Sequence, residues 1–412
     1  MQQVRKLTNH RICDFHYCLR EPMRLCRLAG LFPVDGLTNS SVFSLRFSLK
    51  FPYILFHAAS VIGITITTGF SVIWFFLSPF SLNTLSIALF YVTGLLSTVL
   101  LIHLAMNWSK LIRRVLEIEV NLVEIRRAKT AFWKYNTITY MIMFLALLEH
   151  AMSIISKITS VMSDLNESRV TYNVLDKYFL SWAPFIFDVT SYSLWKSILF
   201  KIANTQATFA WNITDVMTMC VSIYLTSYFQ DLNEIINNQY KSMSWEKLRI
   251  LYSQLVALVK EIDSRFCYLI LLSFFTNLFF ICLQLFNTLN SIHSTVYLLY
   301  YLYSFVFLIT RATVTCLLAA NVNKAAQEPM FVVGYVPASD YTLEVQRFNR
   351  QIRYTTTALS GVYFYVTRST LLYVVGTIIT YELVLLQFNL ETADDADLNN
   401  NGTLYKYMKM TV

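Results

Sequence analysis

The chain has 412 residues, 56% of them hydrophobic and only 14% charged, against roughly 25% charged in ordinary globular domains. Aromatics reach 16% and mean hydropathy is +0.48, which excludes a soluble enzyme and reads as a polytopic membrane protein. The net charge of +8 fits basic loops held on the cytoplasmic side of a membrane, so no nucleic-acid partner is expected.

Residues 1–50 are basic and lack the apolar core of a cleavable signal. They are expected to form a cytoplasmic N-terminal segment. Cys13, Cys18 and Cys26 lie there, and Cys220, Cys267, Cys282 and Cys316 lie in or beside apolar runs. No CxxC or CxxCH spacing occurs, so neither a disulfide framework, a metal site nor a cofactor is expected.

Seven apolar stretches approach the ~20 residues needed to cross a bilayer. They are 51–77, 84–107, 135–161, 203–229, 266–290, 297–321 and 367–390. The fourth is the least distinct, because apolar residues also fill 178–200. Of the 33 lysines and arginines, 24 fall in 1–50, 108–134, 231–265 and 322–353, and five fall in the alternate connections. This bias predicts a cytoplasmic N-terminus and an extracellular C-terminus. Two glycosylation sequons, at Asn166 and Asn401, lie on the expected outer side.

The inner connections "NWSKLIRRVLEIEVNLVEIRRAKTAFWKY" and "FQDLNEIINNQYKSMSWEKLRILYSQLVALVKEIDSRF" keep helical periodicity. They read as cytoplasmic extensions of the spans. "EPMFVVGYVPASDY" breaks the helical pattern and reads as an inner loop. The domain expectation is therefore four parts. Residues 1–50 form the N-terminal segment, 51–366 a six-helix ligand-binding bundle, 367–390 the seventh helix, and 391–412 a short outer tail.

The seventh stretch contains "TIITYELVLLQF", in which a carboxylate and an amide sit at membrane depth. On a helical wheel Thr370, Tyr373, Thr377, Thr380, Val384, Gln387 and Glu391 form one stripe, with Tyr381 and Phe388 at its edge. Glu382 lies on roughly the opposite side. Such a stripe suits either a water-filled pore built by several copies or a helix interface glued by hydrogen bonds.

Thr380-Tyr381, five residues, then Gln387-Phe388 resembles the C-terminal signature of insect gustatory receptors. Glu382 departs from the general pattern, yet "TYELVLLQF" is similar to the form in the sugar-receptor subfamily. "LLEH" at 147–150, "LITRA" at 308–312, "ALSG" at 358–361, "VTR" at 366–368 and "VGTIITYE" at 375–382 agree with it. The resemblance implies an all-α membrane protein of seven transmembrane helices, assembled as a homotetramer or as a heterotetramer with related subunits. It implies a sugar-gated, non-selective cation channel in the plasma membrane of sensory-neuron dendrites, with lipid around it. The pore or gate residues it implies are Thr377, Thr380, Tyr381, Val384, Gln387 and Phe388.

A sugar site needs aromatic faces and planar polar groups. The outer halves of the spans offer Glu149, His150, Trp211, Asp215, Gln284, Asn287, Tyr297, Tyr300, Tyr301 and Tyr303, and the outer loop adds Trp182, Asp188 and Trp195. Several have a second reading. Glu149 with His150 reads equally as a buried structural pair, Asp215 as a partner of Arg311, and the tyrosines as an interfacial belt. Two other functions fit less well. A sugar transporter would show repeats and paired helix breaks, and Pro52, Pro79 and Pro184 do not match in this way. An enzyme would show a nucleophile–base set, and the six histidines are scattered. A related receptor channel for a non-sugar ligand remains an alternative.

Overall fold

A computed structural model describes residues 14–39, 42–48, 50–125, 132–168, 173–239, 243–288, 295–381 and 383–384. Apart from short 3-10 turns, one two-stranded ribbon and one isolated bridge, their regular structure is α-helical. Helix α1 (Asp14–Leu28) precedes the antiparallel ribbon of β1 (Val34–Asp35) and β2 (Arg46–Phe47). The long helices are α2 (Tyr53–Leu77), α3 (Leu82–Asn121), α4 (Phe132–Ser168), α7 (Leu194–Gln239), α8 (Trp245–Thr288) and α9 (Thr295–Gln327). Between them lie the short α5 (Val174–Trp182), α6 (Pro184–Phe187), α10 (Pro329–Gly334) and α11 (Leu343–Tyr354). Helix α12 covers 368–381.

Among the described residues, five helices are long and apolar enough to cross a membrane: α2, α3, α8, α4 over Trp133–Asn166, and the run Thr295–Gly334 that contains α9. The expected inner extensions are continuous with the spans, since α3 has 40 residues and α8 has 44. They brace each other through ion pairs such as Arg114–Glu261 at 3.1 Å. The fourth expected span is present as α7, a helix of 46 residues. It is not among the five apolar helices, for a physical reason. Asn204, Gln206, Asn212, Asp215 and Thr218 dilute its apolar character, and each bonds a neighbouring helix or its own backbone. The apolar run 178–200 is not a span; it is divided between α5, α6 and the start of α7. The expected inner loop at 328–341 also differs from expectation. Pro329 opens α10, where its missing N–H costs nothing, and a 3-10 turn follows at Ala338–Asp340.

Local signals place the helix ends. Ser81 and Thr84 form a reciprocal capping box at the start of α3, with Thr84 N–H donating to Ser81 Oγ at 3.1 Å. Helix α1 ends at Gly30, where φ is +76° and Leu31 N–H donates to Cys26 O at 2.9 Å. A Cβ there would also stand 2.5 Å from Ser60 Oγ.

The N-terminal segment shares the core of the bundle. Phe15, Cys18, Leu19, Met23 and Cys26 of α1 are buried against α3, α4 and α7. The Phe15 ring lies 5.1 Å from that of Tyr224 and 6.0 Å from that of Trp108. Burying each such side chain contributes about 1.5–3 kcal/mol. The start of α1 is held electrostatically. Glu119 of α3 accepts the N–H groups of Asp14 at 3.1 Å and Phe15 at 2.9 Å, and the Tyr224 hydroxyl at 2.6 Å. A carboxylate at a helix N-terminus meets both the orphan donors and the helix dipole. Burial of His16 in the same layer pushes its imidazole down to about 4, so it is neutral at physiological pH.

Replacing Glu119 by Leu should release α1. The expected loss is about 2–3 kcal/mol, seen as a lower Tm and faster proteolysis within 14–39 in the detergent-solubilised protein. Tyr224→Phe, which removes one of the three bonds, should cost about 1 kcal/mol. Unchanged proteolysis in Glu119→Leu would show that apolar packing alone seats α1.

Candidate functional site

Two polar clusters interrupt the apolar bundle. The deeper one is centred on Arg311 of α9, whose side chain is 2% exposed. Its Nε lies 2.9 Å from Asp215 Oδ2 of α7, its Nη2 donates to Asn277 Oδ1 of α8 at 3.3 Å, and its Nη1 donates to Asn212 Oδ1. Ser273 and Asn277 of α8 donate to Asp215 as well, Asn277 at 3.2 Å. Trp211 covers the guanidinium at 4.6 Å and donates its indole N–H to Asn277 at 3.1 Å. A buried charge is tolerated only when paired and hydrogen-bonded, and here both charges are. This arrangement fixes α7, α8 and α9 relative to one another.

Trp211 and Asp215, both sugar-contact candidates, are therefore engaged within the bundle. Asn212, Ser273, Asn277 and Arg311 complete the cluster without having been singled out as a set. Their signal was present as Asn212 with Asp215 at i,i+3, Ser273 with Asn277 at i,i+4, and an arginine inside "LITRATV".

The second cluster lies nearer the start of α9. Ser304 donates to Glu149 Oε1 of α4 at 2.7 Å, and Gln284 Nε2 of α8 donates to Ser304 Oγ at 3.1 Å. The Tyr301 hydroxyl donates to the Gln284 carbonyl, and Tyr303 donates to Leu145 O at 3.0 Å. The rings of Tyr300 and Tyr301 lie 6.4 Å and 6.2 Å from that of Tyr297, which is 44% exposed. Glu149, Gln284, Tyr297, Tyr300 and Tyr301 are thus brought together with Ser304. Its groups are a carboxylate, a primary amide, a hydroxyl and phenol rings tilted against one another. That is the mixture of paired acceptors, donors and flat apolar faces that a polyhydroxylated ring requires.

His150 turns away from this group. Adjacent residues on a helix diverge by about 100°, and its Nε2 lies 3.3 Å from Thr205 Oγ1 of α7. Glu149 and His150 do not form a pair. Asn287 is half-buried near the end of α8. Asp188 accepts the Trp74 indole N–H at 3.1 Å, Trp182 lies under Lys201, and Trp195 is exposed. Asn166 is exposed near the end of α4. Asn401, Glu382, Gln387, Phe388 and Glu391 lie outside the described residues.

Helix α12 is entered through a turn that the bundle holds. Asp263 of α8 accepts both the backbone N–H and the hydroxyl of Ser360, each at 2.7 Å. Asn323 of α9 donates to Thr357 O at 3.1 Å. Thr370, placed on the polar stripe by periodicity, serves the helix start instead; its Oγ1 accepts Thr367 N–H at 3.1 Å and donates to Tyr365 O at 2.8 Å. Beyond the cap, α12 leans on α8 and α9 through Leu371, Val374 and Ile378, over a cavity of about 230 Å³. The other side carries Tyr373, Thr377, Thr380, Tyr381 and Val384, all exposed. Thr377 and Thr380 donate their hydroxyl protons to the i−4 carbonyls of Tyr373 and Gly376, at 2.8 Å and 2.9 Å. Their oxygen lone pairs are left to face outward.

Comparison with known proteins places this arrangement. A model of the trehalose receptor family matches residues 1–396. The chain belongs to the trehalose receptor family. It is similar to the Drosophila melanogaster "Gustatory receptor for sugar taste 64f", at 31% identity over 93% of this chain and 82% of the relative. It is also 29% identical to the "Gustatory receptor 5a for trehalose" of the same fly, over 91% of this chain and 85% of the relative. Its fold matches that of the insect olfactory receptor OR5 from Machilis hrabei in complex with eugenol. The TM-score is 0.66 at 14% identity, over 90% of this chain and 97% of that one. The protein is therefore a membrane receptor of the gustatory sugar-receptor kind, and not an enzyme.

Arg311→Met leaves Asp215 charged and buried without its cation, so a loss of about 3–5 kcal/mol is expected. The double variant Arg311→Met/Asp215→Leu should recover much of that loss, because no unpaired charge remains. Thermal unfolding of the solubilised protein measures both. A double variant as unstable as the sum of the two singles would refute the pairing.

Proposed function

We propose that this receptor is a sugar-gated, non-selective cation channel whose pore is lined by α12 from four subunits. One observation carries the reading. Helix α12 packs on its own bundle with an apolar edge and turns a stripe of threonines and tyrosines outward. In hydrocarbon that stripe would be costly, whereas around a shared axis it borders water. Threonine oxygens whose protons are spent on the backbone offer lone pairs to passing cations. Gln387 and Phe388 continue the stripe in sequence and would form the narrow outer gate. The subunits are identical or include related receptors, with the N-terminus cytoplasmic and the C-terminus extracellular. The site of action is the plasma membrane of a sensory dendrite.

The sugar site in this reading is the cluster of Glu149, Ser304, Gln284 and the Tyr297–Tyr301 rings. It joins α4, α8 and α9. A sugar that bridges these helices better in one arrangement than another shifts the equilibrium toward that arrangement. The movement reaches α12 because Asp263 and Asn323, on α8 and α9, hold the turn before it. The cavity beneath Leu371 and Ile378 gives α12 room to shift. Trehalose is the first ligand to test, since one relative is named for it.

Whole-cell current in cells expressing this chain, alone and with a related subunit, checks the proposal. Trehalose or another sugar should evoke a cation current. Ser304→Ala should raise the half-maximal sugar concentration about tenfold, the loss of one hydrogen bond to a charged group. Thr377→Cys and Thr380→Cys channels should be blocked by a cationic thiol reagent during sugar application, and Leu371→Cys channels should not. Sugar uptake without current would replace the channel by a transporter.

A further inference from the structure

Among the described residues, Val362 is the one non-glycine residue with a positive φ, at +65°. A β-branched side chain in the left-handed region crowds its own backbone, so the conformation persists only where its surroundings impose it. Val362 lies at the tip of the turn that leads into α12, and its neighbours show what imposes it. The first leg of the turn is fixed to α8, where Asp263 accepts the N–H and the hydroxyl of Ser360, each at 2.7 Å. The two legs then pair with each other. Gly361 N–H donates to Phe364 O at 2.8 Å, Val366 N–H donates to Leu359 O at 2.8 Å, and Ser360 forms a bridge with Tyr365. Across the tip, Tyr363 N–H donates to Gly361 O at 2.7 Å.

The Phe364 ring folds over Gly361, where a Cβ would stand 2.4 Å from it, and packs on Phe274 of α8 with 5.5 Å between ring centroids. Leu359 and Val366, at the feet, are fully buried. The tip is not: Val362 is 38% and Tyr363 86% exposed. The feet thus fix a conformation from which the side chain at the tip gains little packing. The second leg runs through Thr367 directly into α12 at 368. A displacement of α12 from its apolar edge pulls on that leg while Asp263 holds the other. We propose that this turn is a loaded hinge, strained at Val362 while α12 rests on the bundle and relaxed when α12 swings away. The inference rests on the reading that α12 moves during gating. Strain confined to the resting arrangement biases the equilibrium toward release by about tenfold.

Two substitutions at Val362 should act in opposite directions. Asparagine tolerates the left-handed region, so Val362→Asn relieves the resting turn. Proline fixes φ at about −65°, so Val362→Pro forbids the resting turn. The N–H that proline removes is not among the hydrogen bonds of the turn. Hydrogen exchange of the purified full chain in lipid nanodiscs, read by mass spectrometry, follows the turn and α12 without channel current. Val362→Asn should slow exchange in peptides from 359–366 and 368–381 about tenfold, and Val362→Pro should speed both by about the same factor or more, with α3 unchanged. In current recordings Val362→Asn should raise the half-maximal sugar concentration and Val362→Pro should lower it. Should Val362→Pro fail to fold, Val362→Asn alone decides. Unchanged or faster exchange in Val362→Asn, or a turn that responds without α12, would overturn the proposal. Absence of any sugar-evoked current would count against the channel reading, and the exchange result would still decide the hinge.

Discussion

One buried cation sets the geometry of the bundle. Arg311 is only 2% exposed, so its charge has to be met by groups of the protein itself. Asp215, Asn212 and Asn277 supply them from two other helices. Apolar packing between helices tolerates sliding by a residue or two. A guanidinium fork does not, because its hydrogen bonds are directional. Helices α7, α8 and α9 are therefore held in register at one level, and what lies above and below inherits that register.

Above this level α8 and α9, together with α4, carry the polar groups of the proposed sugar site. Below it, α8 and α9 hold the turn into α12 through Asp263 and Asn323. The rigid pairing thus separates a site that can adapt to a ligand from a helix that can move. Helix α12 has no fully buried residue over 368–381. It leans on the bundle along one apolar edge, and Tyr373, Thr377, Thr380 and Tyr381 are exposed. A gate has to be drawn from loosely packed elements of this kind.

Much of the fold was legible in the sequence, because a bilayer allows few solutions for the backbone. Long apolar runs and continuous helical periodicity placed α2, α3, α4, α8 and α9. Helix α7 was the least distinct for a reason that is functional: its polar residues face other helices, and a hydropathy average cannot tell a satisfied asparagine from a solvated one. The mixed run at 178–200 misled in the opposite direction, since short helices packed on the bundle are as apolar as a span. Residues 14–39 showed their basic charge in the sequence but not their burial, which depends on Glu119, distant along the chain.

The candidate site was legible in its residue types and not in its groupings. Periodicity set Thr377, Thr380 and Val384 on one exposed stripe, beside exposed Leu372 and Ile379, yet it could not show that Thr370 is consumed by the helix cap. Glu149 and His150 are neighbours in sequence but serve different helices. Trp211 and Asp215 were candidates for sugar contacts; the alternative pairing of Asp215 with Arg311 is the one the structure shows, while Asn277 had to be seen in space. Partners on separate helices are set by tertiary packing, which one sequence does not display.

The central claim is that α12 of several copies encloses a water-filled path. Single-particle imaging of the purified full chain in lipid nanodiscs tests it most directly. The account predicts four subunits around one axis, with Thr377 and Thr380 facing that axis and Leu371 and Ile378 facing the bundle. A particle in which α12 turns its threonines to lipid, or packs them against a single partner helix with no central path, would contradict it.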